Sequence, residues 1–167
     1  TPLLLMRNRG LTAEQQFVKR LLDIVVCLIL TVVLSPVLLL IAAMVKLYDR
    51  GPVFYRQERL TQYGRVFRII KFRSMRVARG ANEASLRPDQ ERIFWWGKIM
   101  RRLKIDELPQ LFNILKGDMS IVGPRPERPQ FVDKFKEEIP RYMIKHQVRP
   151  GLTGWAQVNG YRGDTSI

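Results

Sequence analysis

Residues 24–45 form a 22-residue run without a charged side chain, with Ser35 and Pro36 near its middle and basic residues on both flanks. As a helix rising ~1.5 Å per residue, the run reaches ~33 Å, enough to cross a hydrocarbon core of ~30 Å. Length alone therefore predicts a spanning helix. Pro36 argues otherwise, because it removes a backbone donor and crowds the preceding turn, while Ser35 can cap a carbonyl freed by a kink. The flanks carry Arg7, Arg9, Lys19 and Arg20 on one side and Lys46, Arg50, Arg56 and Arg59 on the other, so neither end is favoured for translocation. Spanning and re-entrant placements both satisfy these observations. A cleaved signal peptide does not: the run exceeds the usual ~7–15 apolar residues, and Lys46-Leu47-Tyr48 offers no small-residue cleavage site.

At 167 residues, the chain has enough apolar sequence outside the run for one compact module. The net charge of +14 lies almost wholly outside the run and implies anionic partners: phospholipid headgroups, a phosphorylated substrate or nucleic acid. The lone Cys27 excludes an intrachain disulfide and reads as packed or lipid-facing filler. With one histidine and one cysteine, a zinc site of the usual type is excluded, so any metal would be a hard cation on carboxylate oxygens. Neither a Walker loop nor a GxGxxG fingerprint is present. The first residue is Thr1, and the sequence is expected to be a piece of something longer.

Thr12-Ala13-Glu14-Gln15 has capping-box spacing, which starts a helix at Thr12 that runs into the apolar segment and should break at Ser35-Pro36. Residues 53–59 and 65–73 read as a hairpin around Gly64, and residues 78–89 as a polar loop. Ile93-Phe94-Trp95-Trp96 with Lys98, Arg101 and Arg102 suits either a helix in the headgroup layer or a core-facing aromatic cluster. Leu108, Leu111, Phe112 and Leu115 mark one face of a short helix capped by Gly117, with Asp106 and Glu107 at its start. Gly123-Pro124-Arg125-Pro126 is a stiff loop, Phe131, Phe135 and Ile139 suggest a helix closed by Pro140, and residues 149–163 are dominated by turn formers.

Asp106 and Glu107, hemmed in by Arg101, Arg102 and Lys104, are equipment for phosphoryl transfer. The carboxylates can hold Mg²⁺ while cations bind phosphate oxygens, or one carboxylate can attack phosphorus itself. Spacing leaves ligand and nucleophile open, and an ordinary helix cap is the bland alternative. Arg125, between two prolines, suits a bidentate phosphate clamp or a solvated turn. Lys71 is a strand residue on a solvated face, His146 a packing or surface residue that could at best assist proton transfer, and Trp155 a packed core residue, with stacking on a base as its alternative.

Motifs spread over residues 16–163 resemble, in order, those of the bacterial sugar transferases, monotopic polyprenyl-phosphate sugar-1-phosphate transferases. They include Lys19-Arg20-Leu21-Leu22-Asp23, Ser35-Pro36, Lys71-Phe72-Arg73-Ser74-Met75, Asp106-Glu107-Leu108-Pro109-Gln110-Leu111, Lys116-Gly117-Asp118-Met119-Ser120, Gly123-Pro124-Arg125-Pro126 and Arg149-Pro150-Gly151-Leu152-Thr153-Gly154-Trp155. The resemblance implies an α+β, membrane-monotopic enzyme: a lead-in at residues 1–11, a re-entrant helix at 12–48 broken at Ser35-Pro36, and a cytoplasmic catalytic module at 49–167, shortened at its C-terminus. It implies transfer of a sugar-1-phosphate from a UDP-sugar to undecaprenyl phosphate with release of UMP, starting polysaccharide or glycoconjugate assembly at the cytoplasmic face of the bacterial inner membrane. Asp106 would be the nucleophile, Glu107 the Mg²⁺ ligand, and Lys71, Arg101 and Arg125 the phosphate or nucleotide contacts. Membrane lipids are further partners, a second copy of the chain is admissible, and nucleic acid is not expected. The rival from composition alone is a membrane-tethered basic nucleic-acid-binding protein.

Overall fold

The computed structural model describes residues 11–76, 92–138 and 142–159. Helix α1 runs from Ala13 to Asp49. The Thr12 hydroxyl accepts from the Gln15 N–H and the Gln15 side chain accepts from the Thr12 N–H, so the capping box forms as its spacing requires. Arg50, in the left-handed region at φ 47°, closes the other end by donating its N–H to the Lys46 carbonyl.

The interruption expected at Ser35-Pro36 is absent: the backbone stays helical through Pro36. Pro36 deprives only the Val32 carbonyl, four residues back, of its N–H, and the Ser35 hydroxyl donates to that carbonyl at 2.8 Å. One lost donor is thereby replaced and the ladder survives.

Along α1, Asp23, Cys27, Ile41 and Val45 are buried, and Thr31, Leu34 and Leu38 between them are half-buried. These positions recur every three or four residues, one stripe on a single helical face. The rest of the helix exposes large apolar side chains, among them Phe17, Leu22, Val32, Val33, Leu39 and Leu47. The structure thus combines helix and sheet with one long apolar N-terminal helix, compatible with membrane association.

Strands β1 (Phe54–Leu60) and β2 (Val66–Phe72) form the expected antiparallel hairpin, with Phe54 opposite Phe72 and Leu60 opposite Val66. Its 3₁₀ connection, Gln62–Gly64, uses positive φ at Tyr63 (61°) and Gly64 (73°). Asn113 serves part of the free edge of β2: its Oδ1 accepts from the Ile70 N–H at 2.9 Å and its Nδ2 donates to the Arg68 carbonyl at 2.8 Å. Two apolar clusters fill the interior. One joins Cys27 to Phe67, Ile69, Leu111, Ile114 and Met119, and the other joins Ile41 and Val45 to Phe72, Phe94, Trp96 and Met100. Ile41 and Val45 each contribute roughly 1.5–3 kcal/mol by this burial.

In helix α2 (Trp95–Leu103) and the residue before it, Phe94 and Trp96 are buried, which bears out the core-facing reading for these two, while Trp95, Ile99 and Leu103 are exposed along one face. The polar loop assigned to 78–89 lies outside the described residues. Helix α3 (Gln110–Lys116) ends on Gly117 at φ 103°, as expected. It starts later than its sequence suggests, so Asp106 and Glu107 occupy a preceding 3₁₀ turn, Ile105–Glu107. Its buried face is Leu111, Asn113 and Ile114, with Phe112 exposed, because the Asn113 bonds to β2 fix the rotation of this seven-residue helix.

Strands β3 (Ser120–Val122) and β4 (Gly151–Thr153) form a short parallel pair, the second of them in the segment read as turns. Helix α4 is Pro129–Glu138, a 3₁₀ turn follows at Tyr142–Gln147, and α5 is Trp155–Val158. Trp155 is 84% exposed, correcting its assignment to the core: it opens a four-residue helix with no buried residue. His146 is buried, as its packing role required, and Cys27 is packed filler.

Polar contacts fix α1 to this module. Asp23 accepts from the Ser120 hydroxyl at 2.6 Å and the Ile121 N–H at 3.2 Å, Lys19 donates to Ser120 and to the Val122 carbonyl, and Arg20 donates to the Ile114 and Leu115 carbonyls at the end of α3.

Candidate active site

The α2–α3 connection sets the two carboxylates. Lys104, left-handed at φ 60°, ends α2 and turns the chain into the 3₁₀ turn that carries Asp106 and Glu107. Asp106 is 8% exposed and its Oδ1 is buried without a hydrogen-bond partner. Glu107 faces the hairpin, where Lys71 Nζ donates to its Oε1 at 2.9 Å. Lys71 therefore spends its charge in a partly buried ion pair, not on a solvated face. Pleating puts it on the side of β2 that carries Ile69 and Phe67.

Arg125 joins Lys71 and Glu107 in lining one narrow cleft, together with Arg59, Gln110 and Gln157. The loop bearing Arg125 is tied to the end of β1: the Leu60 N–H donates to the Glu127 carbonyl at 2.9 Å and Arg59 Nη1 to the Pro126 carbonyl at 3.1 Å. Glu127 is held in turn by Lys145 at 2.6 Å. Arg101 lies apart from the cleft lining: it is exposed and its Nε donates to the Ser74 hydroxyl at 2.7 Å, although its charge still reaches Asp106. Ser35 and Pro36 sit in the apolar helix, separate from this group.

The neighbouring carboxyl groups are pushed in opposite directions. Burial lifts Asp106 above the ordinary carboxylate range, with the nearby Glu107 charge adding to the rise and Lys71, Lys104 and Arg101 opposing it. Burial acts on Glu107 in the same sense, but the Lys71 hydrogen bond and the charges of Lys71, Lys104 and Arg125 outweigh it and hold Glu107 below its ordinary value. One carboxylate is thus firmly ionised while its neighbour is a stronger base, a pattern that separates roles in paired-carboxylate sites.

Arg59 was missed among the candidate site residues. Its Nη2 donates to Gln57 at 2.7 Å, while its Nε is buried without a partner. Burial, with Arg128 and Arg125 close by, lowers its pKa from the ordinary arginine value. Strand parity could have found it: β1 residues 55, 57 and 59 pair with 71, 69 and 67, sharing the face of Lys71.

Asp106 and Glu107 fit a hard divalent cation, since Asp106 Oδ1 lacks a donor and the two carboxyl groups are adjacent. No group of three or more His, Cys, Asp or Glu side chains comes together among the described residues. The protein would then supply two carboxylates, and phosphate oxygens and water the remaining ligands, as is usual for Mg²⁺.

A family model described as bacterial sugar transferase matches residues 14–167. The chain is 49% identical over 150 residues to a UDP-N-acetylgalactosamine-undecaprenyl-phosphate N-acetylgalactosaminephosphotransferase of Aeromonas hydrophila, covering 89% of this chain and 36% of the relative. It is 45% identical over 168 residues to a UDP-glucose:undecaprenyl-phosphate glucose-1-phosphate transferase of Xanthomonas campestris pv. campestris, covering 98% and 35%. A transferase of the same description in Escherichia coli (strain K12) is 40% identical over 165 residues, covering 98% and 36%. The chain thus spans about a third of the length of these relatives.

Proposed function

We propose that this chain, which belongs to the bacterial sugar transferase family, transfers a sugar-1-phosphate from a UDP-sugar to undecaprenyl phosphate and releases UMP. The observation that carries the reading is the cleft in which Lys71, Arg125 and Arg59 surround Glu107 beside the buried Asp106. Three cations facing one ionised carboxylate leave positive charge for a diphosphate, and the relatives named above are transferases of this class.

Asp106, the more basic carboxylate, attacks the sugar-linked phosphorus. An Asp106 oxygen–phosphorus bond forms, the phosphoanhydride bond breaks, and UMP leaves with the electron pair. Undecaprenyl phosphate then attacks the same phosphorus through a phosphate oxygen, forming the lipid diphosphate sugar and returning the carboxylate. Lys71 holds Glu107 ionised and oriented, while Arg125, on a loop fixed before substrate arrives, and Arg59, the β1 residue that ties that loop, bind the phosphates. Mg²⁺, held by Glu107 with Asp106 beside it, would neutralise charge on the phosphate oxygens. Arg101 ties α2 to the segment after β2 through Ser74 and adds positive potential at Asp106.

The membrane reading belongs to the same proposal. Residues 12–48 form a re-entrant anchor between a lead-in at 1–11 and a catalytic module at 49–167, on the cytoplasmic face of the inner membrane. What supports it is that Asp23 and Cys27, near one end of the apolar run, and Ile41 and Val45, near the other, pack on the same module. A straight span would hold those ends ~33 Å apart on opposite sides of a bilayer. Pro36, with its substitute Ser35 bond, marks where such a helix can bend. The test of the reaction is a panel of UDP-sugars with undecaprenyl phosphate in vesicles, monitoring UMP. Lipid-dependent UMP release from one of them is expected, and no release from any would overturn the assignment.

A further inference from the structure

A second cavity, of about 580 Å³, shares no lining residue with the reaction cleft. Its volume falls in the range of small-molecule sites. On one side it is lined by Lys19, Arg20 and Arg149 against the single carboxylate of Asp23. Lys19 and Arg20 already bond to β3 and α3, and Asp23 is satisfied by Ser120 and Ile121. Arg149 is half-buried and has no hydrogen-bond or ion-pair partner among the described residues. Its guanidinium is a cation left for an incoming anion.

The other wall is apolar, made by Leu11, Val122, Ile144 and Val148, all substantially exposed. A cavity that offers a free guanidinium beside exposed aliphatic carbon suits an amphiphile better than a sugar or a free nucleotide. Its place along α1 points the same way. Gln16, Lys19, Arg20 and Asp23 lie directly before the apolar run, at the depth where a helix entering lipid meets headgroups. On the opposite face of the same turns, Phe17, Leu21 and Leu22 are exposed toward the surface that lipid would cover.

We propose that this cavity binds an anionic, phosphate-headed membrane lipid, with its phosphate on Arg149 and the exposed side of Lys19 and its proximal chain against Leu11, Val122, Ile144 and Val148. The proposal rests on the membrane placement of α1 given above and not on the transfer reaction. The bound lipid touches Val122 and Gly123, at the root of the loop that carries Arg125, and so braces that loop from outside the reaction cleft.

The test is native mass spectrometry of the detergent-solubilised chain titrated separately with phosphatidylglycerol, phosphatidylcholine, undecaprenyl phosphate and inorganic phosphate. One tight phosphatidylglycerol site is expected. Arg149→Gln should weaken it about tenfold, the size of one lost charged hydrogen bond. Val148→Glu should weaken it comparably by placing a negative charge on the exposed wall. Arg56→Gln, removing the same charge from an exposed strand position outside the cavity, should leave it unchanged. Selective binding of undecaprenyl phosphate that fails in the same two variants would also support a phosphate-headed lipid and identify its source as the isoprenoid. Equal affinity for phosphatidylcholine, full displacement by inorganic phosphate, or wild-type affinity in both variants would overturn the proposal. Flotation with phosphatidylcholine vesicles, measured in parallel, reports membrane placement itself, so failure there is distinguishable from an empty cavity.

Discussion

Asp106 and Glu107 are adjacent in one turn, yet burial lifts the first while Lys71, Lys104 and Arg125 hold the second down. For a carboxyl raised in the folded state, the native protein keeps its proton at a pH where the unfolded chain has lost it. Stability therefore falls as pH rises from the ordinary carboxylate value through the lifted one. Asp106→Asn removes that cost, so calorimetry at neutral pH should give a higher Tm than the parent protein, with turnover abolished. A Tm at or below the parent value would mean that Asp106 is not held at a cost. If Asp106 attacks phosphorus as proposed, the attacking form is the anion, and the acid limb of single-turnover rate should lie above the usual carboxylate range. Lys71→Met should move it higher still, since Lys71 opposes the rise. Arg59 makes a different claim. Its planar group serves the Pro126 carbonyl, Gln57 and the cleft together, so Arg59→Lys should raise KM for the UDP-sugar about tenfold or more while the fold is kept. Unchanged steady-state constants would return Arg59 to a purely structural role.

At the scale of elements, the parts legible in the sequence were those with strong local signals: the Thr12 cap, the Gly64 hairpin, the Gly117 helix end and the apolar run. The β3–β4 pair was not legible, because its three-residue strands carry no alternation and are held by glycines brought together from distant sequence. A Cβ on Gly151 would land on the backbone nitrogen of Gly123, and one on Gly154 on the Gly123 carbonyl. Gly151→Ala should therefore cost about 2 kcal/mol or more, seen as a lower urea midpoint, since the obstacle is backbone. The start of α3 was misplaced because Asn113 fixes that helix through contacts with β2 that no local pattern announces. In the site, the Asp106-Glu107 pair and Arg125 stood out from charge and proline context, whereas the Lys71–Glu107 ion pair and Arg59 required the hairpin register. For α1, cysteines introduced at Thr12 and Arg50, in a Cys27→Ala background, should both react with an impermeant maleimide only from the cytoplasmic side. Labelling of one end from each side would establish a spanning helix.

For the molecule as a whole, α1 contributes to both apolar clusters, so this long apolar helix is part of the core, and if it lies in the membrane as proposed, the carboxylates are held at the membrane surface. On the proposed function, that arrangement would let a water-soluble donor and a lipid acceptor use one nucleophile in turn, with the covalent step at its centre. Its most direct test is rapid-quench mass spectrometry of the chain in lipid nanodiscs, given the UDP-sugar it uses and no undecaprenyl phosphate. The expected result is UMP released in an amount close to the enzyme present, a phosphosugar on the peptide containing Asp106, and loss of that adduct when undecaprenyl phosphate is added. UMP released only when donor and acceptor are both present, with no adduct at any quench time, would contradict it.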